Sequence, residues 1–121
     1  MLKGKEFSTY FKEICTRQKL RLQEVFLNAD ISEGYGYKLM SGEKRTRQRD
    51  IILRLCYAAK MTTDETQTAL KLYGLPELYV KSPRDALIMV CFNERPGSVI
   101  EVNGFLKGNG FDPLRSSGTI E

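Results

Sequence analysis

Residues 49–114 repeat a unit of about 35 residues, and that constrains this chain more than any other feature. RDIILRLCYAAKMTTDETQTALKLYGLPEL (49–78) aligns with RDALIMVCFNERPGSVIEVNGFLKGNGFDPL (84–114). At an offset of 35, Arg49, Asp50, Cys56 and Tyr57 meet Arg84, Asp85, Cys91 and Phe92. One inserted residue makes the offset 36, and Glu65, Leu70, Lys71, Gly74 and Leu78 then meet Glu101, Leu106, Lys107, Gly110 and Leu114. Thr62-x-x-Glu65 and Ser98-x-x-Glu101 are matching capping boxes at helix starts. Gly74 with Pro76, and Gly110 with Pro113, stop a helix and keep it stopped. Caps, stops and apolar positions recurring together predict two helical hairpins in tandem, so the chain is all-α.

Before the repeat the apolar spacing is also helical. Phe7, Tyr10, Phe11, Ile14 and Cys15 form one stripe, and RQKLR (17–21) breaks it with charge. A short helix follows with Leu22, Val25, Phe26 and Ala29 on one face. A tight turn at Asp30-Ile31 leads to Ser32, which caps a third helix running to about Met40 and ending at Ser41-Gly42. The loop EKRTRQ comes next, then a fourth helix near Arg49–Lys60 with Ile51, Ile52, Leu55, Cys56 and Ala59 inward. Ser82-Pro83 caps and opens a sixth. The domain reading is a helix-turn-helix region at 1–60, tandem hairpins at 49–114 packed on it in one compact domain, and a flexible tail at 115–121.

Composition narrows the function. No histidine occurs and no CxxC, which removes most zinc sites and every histidine-based acid–base scheme. We expect no catalytic residue, no metal, no cofactor and no small-molecule ligand. Cys15, Cys56 and Cys91 are expected as buried free thiols in a reducing, cytoplasmic compartment. No run approaches the roughly 20 apolar residues of a membrane span. Charge is uneven: residues 1–60 hold 13 Lys/Arg against 7 Asp/Glu, net +6, and residues 61–121 hold 6 against 8, net −2. A basic half points to a polyanion.

Residues 7–60 resemble the lambda-repressor-like, or Cro/XRE-type, helix-turn-helix family of bacterial DNA-binding proteins. The residues carrying the resemblance are Leu20, Glu24-Val25, Ala29-Asp30-Ile31-Ser32, Leu39, Ser41-Gly42-Glu43-Lys44-Arg45 and the apolar run Ile51–Leu55. It implies a helix-turn-helix bundle, here extended by the hairpins, that binds double-stranded DNA, probes the major groove with its third helix and sits with the nucleoid. Ser32, Glu33, Tyr35, Tyr37 and Lys38 would then face base edges. Phosphate contacts would come from Lys44, Arg45 and Arg47 in the loop and from Lys19, Arg21 and Gln23 around the second helix. Repression by occlusion is the mode it implies.

The chain departs from that pattern at Leu22, where the family commonly has glutamine, and at Gly34 and Gly36 inside the reading helix. Each interior glycine costs a helix about 1 kcal/mol relative to alanine. Three explanations stand: a tyrosine packs inward over Gly36, the helix orders only on DNA, or base reading has been lost. Lys44, Arg45, Arg47, Arg49 and Arg54 also admit a reading as solvated surface. Arg49-Asp50 is assigned to the repeat, because Arg84-Asp85 recurs. DALIMVCF (85–92) is apolar almost all round, which places it in the core or at an interface with a second copy or another protein. The rival function is a helical adaptor or antitoxin-like module whose C-terminal hairpin binds protein.

Overall fold

The computed structural model describes residues 2–116, with side chains from Glu6 onward. Among these residues there are seven helices and no strand: α1 (Leu2–Arg17), α2 (Leu22–Ala29), α3 (Glu33–Ser41), α4 (Arg49–Ala58), α5 (Thr63–Tyr73), α6 (Pro83–Glu94) and α7 (Val99–Gly108). The fold is all-α, as the periodicity predicts. None of the described helices is long and apolar enough to cross a membrane.

The predicted caps close. Thr62 Oγ1 accepts from the Glu65 amide at 3.1 Å, and the Glu65 carboxylate accepts the Thr62 amide at 3.0 Å. Ser98 and Glu101 repeat the box. Ser82 caps α6 ahead of Pro83. Gly74 and Gly110 both take the left-handed conformation, φ 84°, after α5 and α7.

α4 is the axle of the bundle. Ile51–Ala59 is buried throughout, against α2 on one side and α5 and α7 on others. α1 lays its predicted stripe of Phe7, Phe11 and Ile14 along α5 and α3. Burying each such side chain stabilises by about 1.5–3 kcal/mol. Cys15, Cys56 and Cys91 are buried and unbridged. Burial raises all three thiol pKa values, Cys15 to about 11.

The hairpins pair reciprocally. Arg49 forks onto Asp85 at 2.6 and 3.0 Å, and Arg84 reaches back to Asp50 at 3.1 and 3.4 Å. Asp85 also accepts the Tyr79 amide and Asp50 the Arg115 amide, at 2.9 and 3.0 Å. The counterparts Tyr57 and Phe92 meet each other edge-on, centroids 5.3 Å apart. These residues thus contact the partner hairpin as their counterparts do, which is the signature of an approximate two-fold axis. A reciprocal pair is closed, so the second hairpin needs no third to stack on.

Two expectations change here. The tail was expected to loosen from residue 115, yet Arg115 is anchored: its amide bonds Asp50 and its guanidinium reaches Gln48 Oε1 at 2.9 Å. Residues 117–121 lie outside the described residues. Arg54 is not solvated surface: it is only 4% exposed. Its guanidinium donates to Ala29 O at 3.0 Å, Leu114 O at 2.7 Å and Arg115 O at 2.6 Å. One buried cation therefore ties the end of α2 and the end of the second hairpin to α4. Desolvation lowers its pKa, opposed by Asp30 and Asp50.

Candidate nucleic-acid interface

α2 and α3 are joined by three residues, Asp30, Ile31 and Ser32. Asp30 takes the left-handed conformation (φ 58°, ψ 48°) and closes α2 through its amide. Ile31 is buried under the turn, and Ser32 Oγ accepts the Tyr35 amide to start α3. Gly42, at φ 85°, ends α3. At the start of α2 the cap position holds Arg21, whose side chain cannot accept a hydrogen bond; only its amide is used, by Glu24 Oε1 at 2.9 Å.

α3 buries Gly36, Leu39 and Met40, and exposes Glu33, Gly34, Tyr37, Lys38 and Ser41 as one stripe. Of the five residues expected to face bases, Ser32, Glu33, Tyr37 and Lys38 are exposed and Tyr35 is half-buried. Glu33 Oε2 accepts from Gln23 Nε2 at 3.0 Å, so one expected base contact and one expected phosphate contact are bonded to each other. That bond fixes the start of α3 against the start of α2.

The glycines differ. A Cβ on Gly36 would lie 2.6–2.7 Å from the Phe26 ring, so the backbone of α3 is held against α2 by an aromatic face. The aromatic that needs the space is Phe26, not the inward tyrosine expected from sequence. Tyr37 instead stays outside and packs edge-on against Phe26, centroids 5.1 Å apart. A Cβ on Gly34 would meet nothing within 4 Å.

The cations fall into two groups. Arg45 bends back to α5, donating to Tyr73 O at 2.9 Å with its guanidinium 4.3 Å from the Tyr73 ring centre. Arg49 belongs to the hairpin pair. Lys19, Arg21, Lys38, Lys44 and Arg47 are exposed, and no side-chain hydrogen bond or ion pair occupies them among the described residues. Lys12, on the outer side of α1, was not singled out from sequence. It joins Lys38, Leu22, Tyr37, Met40, Ser41 and Glu43 around a hollow of about 320 Å³ between α1, α2 and α3. Its neighbour Phe11 marks the buried face of α1, but only the crossing of α1 on α3 reveals which polar flank faces this hollow. Lys19 and Arg21 lie in the α1–α2 connection.

No cluster of three or more potential metal-ligating side chains occurs among the described residues. What the arrangement offers is an exposed helix face and exposed cations. Comparison with protein-family models, curated proteins and solved structures returns no match.

Proposed function

We propose that this chain is a stoichiometric DNA-binding regulator that lays α3 in the major groove and represses by occupying its site. The observation that carries the reading is the exposed stripe of α3 with the unoccupied cations Lys12, Lys38 and Lys44 beside it and Arg47 exposed in the loop that follows. Phosphate neutralisation holds the protein on the duplex, and Tyr37 and Lys38 select bases: a lysine donates to guanine O6 and N7. Open backbone at Gly34 lets the helix approach the groove floor closely. Arg45 is set apart from the phosphate set, because its bond to Tyr73 O and its place over the Tyr73 ring turn it toward α5. The Gln23–Glu33 bond aligns the reading helix.

Replacing Lys44 and Arg47 with alanine tests the reading. The expected result is weaker binding to all duplexes and a log K against log[salt] slope shallower by about 2, one per lost phosphate contact. Arg45→Ala, by contrast, leaves the slope unchanged and lowers stability. A double variant that keeps the parent slope overturns the contact assignment.

A second reading, a helical adaptor or antitoxin-like protein binder, is favoured by Ile100 and Phe105, which stand 74% and 41% exposed on α7. It predicts DNA binding that vanishes with added salt and prefers no sequence.

A further inference from the structure

The internal repeat gives every surface of the second hairpin a counterpart on the first, and one pair of counterparts is unequal. On the first hairpin α1 lies along α5. Phe7 meets Tyr73 edge-on at 5.0 Å, Arg17 pairs with Glu65, and Ala69 between them is buried. The counterparts of Glu65, Ala69 and Tyr73 are Glu101, Phe105 and Asn109, and all three are exposed. Among the described residues no helix does for α7 what α1 does for α5. Ile100 projects beside this face, and a Cβ on Gly104 or Gly108 would find nothing within 4 Å.

The pattern on this face indicates what fits it. An antiparallel copy of α7 crossing at Gly104 sets each residue level with the one equally far on the other side. Ile100 then comes level with Gly108 of the second copy, a large apolar side chain against open space. Glu101 comes level with Lys107, an anion against a cation. Both matches occur twice, because a two-fold contact is self-complementary. An exposed apolar face rimmed by such charges is what an association surface requires.

We propose that the chain self-associates through α7, antiparallel and crossing near Gly104, so that a second copy covers the exposed strip of Ile100, Gly104 and Gly108 beside that face. The contact joins two copies outside α3, leaving both reading faces free. It stands whether or not α3 reads DNA.

Sedimentation equilibrium of the full chain without DNA, at roughly 1–100 μM, is the test. The parent chain is expected to pass from monomer to dimer across that range. Ile100→Lys and Gly104→Lys each place a lysine where the single chain has room, so neither should melt below the parent while their dimer dissociation constants rise tenfold or more. Gly104→Ala separates association from folding: it raises the melting temperature by helix propensity yet weakens the dimer by blocking close approach. A parent that remains monomeric at the highest concentration overturns the proposal. So does a dimer indifferent to Ile100→Lys and Gly104→Lys.

Discussion

Set against each other, the hairpin pair and the α2–α3 region follow opposite rules. In the hairpins the capping, pairing and loop-tying devices occur twice. Gln67 Oε1 accepts the Leu78 amide as Asn103 Oδ1 accepts the Leu114 amide, both at 2.8 Å. Arg49 reaches Glu77 O as Arg84 reaches Pro113 O, both at 3.3 Å. In α2–α3 each device occurs once, and the exposed cations there have no counterpart role. Repetition thus separates the purposes: what recurs holds the fold, and what is exposed and unrepeated is free to act on something else.

Arg54 joins the two regions, so removing it should break the comparison most severely. Arg54→Ala leaves the carbonyls of Ala29, Leu114 and Arg115, the first two in buried residues, without their charged donor, and is expected to cost about 4 kcal/mol or more by denaturant titration. Its counterpart in the second hairpin is Met89, half-buried. Met89→Ala should cost only about 1 kcal/mol. Equal losses at the two positions would show that Arg54 is not the tie described.

Asp85→Asn breaks the pairing of the hairpins alone. Asp85 is 5% exposed and takes a forked arginine and a backbone amide, so its loss should cost about 3 kcal/mol. Asp50→Asn, at the more open counterpart, should cost less. A larger loss at Asp50 would contradict the reciprocal arrangement.

The two glycines sharpen the other side of the comparison. Gly36→Ala drives a methyl into the Phe26 ring and should cost about 1–3 kcal/mol. Gly34→Ala enters open space and should stabilise by about 0.5–1 kcal/mol. Thermal melts of the two variants moving in the same direction would sink this distinction.

The smallest expected effect is acid sensitivity in the hairpins. Burial tends to raise the Glu65 pKa, but the Thr62 cap and Arg17 outweigh it, and the net shift is downward. The Ser98 cap likewise lowers Glu101. Both carboxylates therefore contribute stability that is complete above their ordinary value of 4.5 and is lost as pH falls through the depressed one. Glu65→Gln, which removes the titrating group, should make a pH-dependent melt flatter below about 4.5; an unchanged profile would contradict the assignment.

Helix order, caps, glycine stops and the repeat were all legible in the sequence, because each depends on local spacing. Two features depend on packing and were not. The reciprocity of the hairpins needs the direction in which Arg49 and Arg84 reach, which sequence offsets do not carry. The partner of Gly36 is Phe26, ten residues away on another helix, so its neighbours Tyr35 and Tyr37 misled. In the candidate interface the exposed stripe of α3 was legible from capping and period. The diversion of Arg45 onto Tyr73, and the presence of Lys12 beside Lys38, required the helix crossings.

Selection of bound duplexes from a random-sequence pool at near-physiological salt tests the central claim most directly. The account predicts enrichment of one motif, with preference at one base position altered by Lys38→Ala. Binding that enriches nothing and disappears with salt would contradict it, leaving only non-specific attraction between the basic half and a polyanion.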